Sequence, residues 1–170
     1  ICGGYQILGV EVHDPLGVEG PPSREPGLGL LPVTTTMASE KTTTQVRVGA
    51  LSVFGLTGTG PLSAYEIHMG QTTAQGPGGP AFLIQERHGR QAEVADGWVS
   101  PDGRVVGTYL HGIFENDVFR RRFLEALAAG PAPPAGSLSF QEFLEEQLDR
   151  LALEMRTHLN LSLLKELIIP

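Results

Sequence analysis

The stretch ICGGYQILG at residues 1–9 constrains the fold more than any other part of the chain, because it holds the only cysteine among 170 residues. A cysteine followed by two glycines and then by apolar residues reads as a sharp strand-to-helix turn, which projects the sulfur of Cys2 into a pocket. Gly3 and Gly4 are expected there to leave room beside a strained backbone and close packing. Such a turn also sets a thiol near a helix N-terminus, whose dipole favours thiolate and whose N–H groups can hold an oxyanion. Cys2 reads either as a nucleophile or as a small buried cysteine in a glycine-rich loop. Termini ordinarily fray, so a structured motif at the first residues suggests a chain that begins within a domain.

A chain of this length fits one ordinary domain with a real core. With 41% hydrophobic and 18% charged residues it has the composition of a soluble globular protein, and its 22 glycines and 13 prolines call for many loops. The net charge of −7 argues against DNA, RNA or anionic lipid as partners, since those need clustered Lys and Arg. The single basic cluster, Arg120 to Arg122, reads as the solvated face of a helix. One cysteine excludes an internal disulfide and a Cys-rich metal site, and suggests a reducing compartment. No stretch reads as a membrane span or a signal peptide, so the expected location is cytoplasmic. "GLTGTG" lacks the lysine of a phosphate-binding loop, and no HExxH occurs, so no cofactor or metal is expected in this chain.

Residues 9–32 are dense in proline and glycine and read as a surface excursion rather than a long helix or central strand. "TTTQVRVGALSVFG" and "AFLIQERH" read as strands, and "EVADGWVSPDGRVVGTYLHG" as two strands about a Pro101-Asp102-Gly103 turn, which puts His111 at a strand end. After Phe114 the pattern turns helical, with Phe119, Phe123, Leu124 and Leu127 in phase before a break at "GPAPPAG". A second helix is expected from a Ser139 cap with Glu142 three residues on. Its stripe of Phe140, Phe143, Leu144, Leu148, Leu151, Met155 and Leu159 reads as core or as a docking face.

A thiolate nucleophile needs an imidazole for proton transfer. Of five histidines, His13, His88 and His158 read as surface residues. His111 ends a strand before Gly112, at the sheet edge where open α/β folds bind ligands. His68 is the other candidate: alternation puts it on one strand face with Glu66, as part of a site or as a hydrogen-bonded pair supporting a loop.

"CGGYQILG", "GLGLLP", "YEIHMG" and "GTYLHGIF", in that order, resemble the class I (triad-type) glutamine amidotransferase domain of the cobyric acid synthase and cobyrinic acid diamide synthase group. The C-terminal "QLDRLALEMRTHLNLSLLKELI" resembles the terminal helix pair of the cobyric acid synthase branch, at about residues 139–168 of a glutaminase domain spanning 1–170. The resemblance implies an α/β fold with a flavodoxin-like open sheet. It implies Cys2 as the nucleophile toward the glutamine side-chain amide, His111 as acid and base, Gly3 as an oxyanion donor and Gln6 as a residue that holds glutamine. Glu66 and His68 are implied as supporting residues on one side of the pocket. The partners implied are an ATP- and magnesium-using synthetase domain and its corrinoid substrate, cobyrinic acid diamide.

Two departures stand beside the resemblance. Related triad enzymes carry a glutamate two residues after the histidine, where this chain has Ile113, which leaves Glu115, Asp117 or Glu66 as possible orienters. The family also has strands and an oxyanion loop before the nucleophile that this chain lacks, so the isolated chain is expected to be a weak or inactive glutaminase. Rival readings are the glutaminase of the diamide synthase, that of a complex amidating a cell-wall precursor, and a non-catalytic docking or regulatory module.

Overall fold

The computed structural model describes residues 1–56, 60–128 and 139–168. The chain divides into two compact units, Ile1–Pro133 and Pro134–Pro170. The first opens with helix α1 (Gly3–Leu8) and continues through β1 (Glu11–Asp14), β2 (Ser23–Pro26), β3 (Val33–Ala50) and β4 (Leu62–Ala74). There follow β5 (Phe82–Arg87), β6 (Arg90–Asp96), β7 (Trp98–Val99), β8 (Val106–Gly107), β9 (Leu110–His111), a 3₁₀ turn (Ile113–Glu115) and α2 (Asp117–Leu127). The result is a mixed α/β unit with an open sheet in the order β2-β1-β3-β4-β9, extended by β5 on β3 and β6 on β5. β1 runs parallel to β3, and the other ladders of this sheet are antiparallel.

The long strand β3 organises this arrangement. Its threonine and valine runs suit a pleated, half-buried surface. Thr34, Thr35 and Thr36 pair with β1, its last residues with β5, and β4 lies along the opposite edge, with an irregularity between Met37 and Thr42. Residues 9–32, expected as a surface excursion, contain the short antiparallel pair β1 and β2. The prolines fit because every residue of β2 is exposed and Pro26 closes it at the sheet edge. Asp14 anchors the intervening turn by accepting from Val18 N at 2.9 Å and Glu19 N at 3.0 Å.

Along β4, Leu62, Ala64 and Glu66 are buried on the inner face while Tyr65 is 43% exposed on the outer one. Leu62 and Ala64 join Val46, Val48, Phe82, Ile84, Leu110 and Phe119 in the main core. A smaller cluster of Tyr5, Leu31, Val33 and Tyr109 sits beneath α1. The Pro101-Asp102-Gly103 turn forms as its sequence suggests: Gly103 N bonds to Ser100 O at 2.9 Å, and β7 pairs with β8 across it.

In the second unit, α3 (Phe140–His158) begins at Ser139 with both halves of a capping box in place, and α4 (Leu161–Ile168) follows. The expected break at residues 130–136 lies outside the described residues. α3 has no buried residue, and Phe143 of the stripe is 49% exposed. No helix among the described residues is long and apolar enough to cross a membrane.

Candidate active site

Cys2 caps the N-terminus of α1 with φ 52° and ψ −119°, a region that a non-glycine residue occupies at a cost of roughly 1–3 kcal/mol. Its backbone N–H donates to Thr108 O at 2.9 Å, and its Sγ lies 3.5 Å from Ile67 O on β4. The strain sits in Cys2 itself, whereas a Cβ added at Gly3 or Gly4 would meet nothing within 4 Å among the described residues. The expected crowding around the two glycines is therefore corrected: they leave open space beside the thiol. Gly3, the first residue of α1, carries an N–H that helix geometry leaves without an intrahelical acceptor.

His111 is the last residue of β9 and lies directly opposite Tyr65, so the two share the outer face of β4, while Leu110 lies opposite Glu66 inside. Gly112 follows in the left-handed region with φ 73°, which lets the chain leave the ladder immediately after the histidine. The imidazole Nε2 of His111 is buried and has no hydrogen-bond partner among the described residues. Tyr65 and Ile67 are two positions apart, about 7 Å along a strand. The thiol thus lies against Ile67 O and the histidine pairs with Tyr65, two positions apart on one short stretch of β4.

Gln6 projects from α1 to the other side of that stretch. Its Nε2 donates to Tyr109 Oη at 3.4 Å and lies 3.8 Å from Met37 Sδ. Gly70 makes this approach possible, since a Cβ there would stand 2.5 Å from Gln6 Nε2 and 2.6 Å from Thr35 Cγ2. Tyr109 Oη pairs with Thr72 Oγ1 at 2.6 Å, and that hydroxyl with Thr35 Oγ1 at 2.7 Å. The Tyr109 ring stacks on His68 with centroids 4.1 Å apart.

Glu66 and His68 line a cavity of about 320 Å³ on the inner face, together with Arg87, Asp96, Trp98 and Tyr109. Neither Cys2 nor His111 is among the residues lining it. Glu66 Oε1 accepts from Arg87 Nη2 at 2.7 Å and faces His68 Nε2 at 3.2 Å, while Glu66 Oε2 is buried without a partner among the described residues. His68 Nδ1 donates to Gly70 O at 2.6 Å. Both ring nitrogens thus face acceptors, a setting satisfied only by the doubly protonated ring.

Burial works against the charge of both partners. Even so, the His68 hydrogen bond and Arg87 hold Glu66 below its ordinary value, and Glu66 with the Gly70 carbonyl raises His68. Asp96 is different: burial pushes its carboxyl up to about 6, although the Thr108 hydroxyl and Tyr109 N–H pull the other way. Burial, and then the nearby Asp96 charge, raise Tyr5 as well.

Residues 1–119 match the CobB/CobQ-like glutamine amidotransferase domain. The chain belongs to that family. It is 40% identical over 174 residues to the cobyric acid synthase of Syntrophobacter fumaroxidans, covering 99% of this chain and 34% of that protein. It is 42% identical over 168 residues to that of Allorhizobium ampelinum, with 99% and 31% covered. With the cobyric acid synthase of Chloroflexus aurantiacus it shares 45% identity over 153 residues, or 89% and 30%. The chain therefore spans about a third of the length of these relatives.

Within this amidotransferase domain the residues expected to act together fall into two groups. Cys2 and His111 lie at Ile67 and Tyr65 of β4, with Gly3 next to Cys2 in the chain, and Gln6, Glu66 and His68 are linked on the inner side through Tyr109. Ile113 is 2% exposed in the main core, a place for a side chain without charge. Of the carboxylates weighed as orienters, Glu66 is engaged by Arg87 and His68, Asp117 pairs with Arg120, and Glu115 is exposed. Sequence reasoning missed Tyr109, Arg87, Asp96 and Asn116. Tyr109 alone left a signal, two positions before His111 in one motif; the others arrive from separate elements.

Proposed function

We propose that this chain is the glutaminase portion of a cobyric acid synthase, which hydrolyses glutamine to supply ammonia for ATP-dependent amidation of cobyrinic acid diamide carboxylates. The observation that carries the reading is the strained backbone of Cys2 at the head of α1, set on the same stretch of β4 as a buried His111 Nε2 that has no hydrogen-bond partner among the described residues. Family membership and the printed names of the relatives support the substrate. ATP, magnesium and the corrinoid bind at a synthetase domain or subunit, and the whole acts in the cytoplasm.

The chemistry is a double displacement. Cys2 Sγ gives its proton to His111 and bonds to the amide carbon of glutamine, while Gly3 N–H stabilises the oxyanion. The C–N bond breaks as His111 returns the proton to nitrogen, so ammonia leaves and a γ-glutamyl thioester remains. Water then yields a proton to His111 and bonds to the same carbon. The C–S bond breaks, the sulfur regains its proton and glutamate departs. Gln6 holds the substrate, and Glu66 and His68 support that wall from within.

Glutamate release from glutamine by the full-length protein that carries this portion tests the assignment, with Cys2→Ala and His111→Ala alongside the unaltered sequence. Both variants are expected to fall to background. A His111→Ala variant at near-normal rate would remove His111 from the mechanism.

A further inference from the structure

Asn116 occupies the N-cap of α2, yet its side chain makes no capping bond to its own helix. It reaches back to β4 instead. Oδ1 accepts from Ser63 N at 3.0 Å, and Nδ2 donates to Ser63 O at 2.9 Å, to Ile113 O at 2.9 Å and, more weakly, to Gly112 O at 3.4 Å. These partners have a common meaning in the ladder. β9 pairs Leu110 with Glu66 and His111 with Tyr65, and then the chain turns away at Gly112. The backbone N–H and C=O of Ser63, just beyond the end of that pairing, would be left open at the sheet edge. The Asn116 carboxamide presents one donor and one acceptor, as a peptide unit does, and takes both.

We infer that Asn116 is a positioning residue for His111: its carboxamide replaces a missing backbone rung, closes the turn that follows the histidine, and so fixes the direction of the imidazole toward Cys2. This rests on the glutaminase reading for its catalytic consequence but not for its geometric one. It also accounts for how an imidazole is oriented where the core residue Ile113 stands in place of a carboxylate. The clamp acts on the backbone, from Ser63 on one side and from Gly112 and Ile113 on the other, and leaves Nε2 of His111 unengaged.

Two readouts on the full chain test it, with Asn116→Ala and Asn116→Asp compared to the unaltered protein. Asn116→Asp keeps the acceptor for Ser63 N and loses the donors, so it carries the test if the alanine variant fails to fold. The first readout is the long-range proton–nitrogen NMR correlation of the His111 ring, assigned by its loss in His111→Ala. The unaltered chain is expected to show one fixed set of ring signals, and each folded Asn116 variant a shifted or averaged set. The second is glutamine hydrolysis, where kcat is expected to fall at least tenfold with KM within about twofold. Unchanged His111 ring signals in a folded variant would overturn the inference. So would altered signals with kcat within twofold of normal. If the unaltered chain hydrolyses no glutamine, hydrolysis is read on the full-length protein that carries it; inactivity there overturns the glutaminase reading, while the ring signals still decide the role of Asn116.

Discussion

Replacing Glu66 with alanine removes the one carboxylate that holds two cationic groups on the inner face of β4. Arg87 Nη2 at 2.7 Å and His68 Nε2 at 3.2 Å lose their common acceptor. Breaking a fully buried pair costs about 3–5 kcal/mol, because the orphaned charge stays desolvated. The side chain of Arg87 is 37% exposed and can recover water, whereas that of His68 is 16% exposed and cannot do so fully. The expected loss is therefore below that range, about 2–3 kcal/mol. Its pH dependence has a definite sign. Glu66 lies below its ordinary 4.5, so its contribution is present above that pH and is lost as pH falls through the lowered value. His68 lies above its ordinary 6.5, so its contribution is complete below that pH and is lost as pH rises through the raised value. Both act together between 4.5 and 6.5, and at higher pH the Arg87 pair remains. Urea unfolding followed through Trp98, the sole tryptophan and a residue of the same cavity, measures the gap between chain and variant. The gap is expected to be widest near pH 5.5 and narrower at 8.5. A loss below about 0.5 kcal/mol, the level of an ordinary surface substitution, or a gap that widens above pH 7, would refute the reasoning.

Two further substitutions probe the same wall. Asp96→Asn is expected to gain stability relative to the unaltered chain as pH rises from 4.5 to 7.5. A carboxyl raised from 3.8 to about 6 loses its folded-state advantage through that interval, up to roughly 3 kcal/mol. A difference in urea midpoint that stays constant with pH would contradict this. Gly70→Ala forces a methyl against buried Thr35 and the amide of Gln6. It is expected to cost about 1–3 kcal/mol and to raise KM for glutamine more than it lowers kcat; an unchanged KM would separate Gln6 from substrate binding.

Much of the sheet was legible because β3, β5 and the β7–β8 turn carry local signals: β-branched runs, a short apolar run and a Pro-Asp-Gly turn. The capping box of α3 was equally plain, since Ser139 and Glu142 are three residues apart in the chain. The sequence did not disclose which face of β4 each candidate would take. Alternation joins Glu66 to His68, but only the register Tyr65↔His111 places the catalytic candidate on the opposite face, and register is a long-range property. Arg87, Asp96 and Asn116 stayed hidden for the same reason, as their respective partners Glu66, Thr108 and Ser63 lie 12 to 53 positions away. The strand at β2 escaped notice because an exposed edge needs no apolar alternation.

The central claim is that Cys2 is a nucleophile in a pocket that recognises glutamine. Its most direct test is the intact mass of the full chain after incubation with 6-diazo-5-oxo-norleucine, a reactive glutamine analogue, with Cys2→Ala as control. The account expects a single adduct on Cys2, formed faster than on free cysteine and slowed by glutamine. An adduct formed no faster than on a free thiol and indifferent to glutamine would contradict it and favour a non-catalytic module.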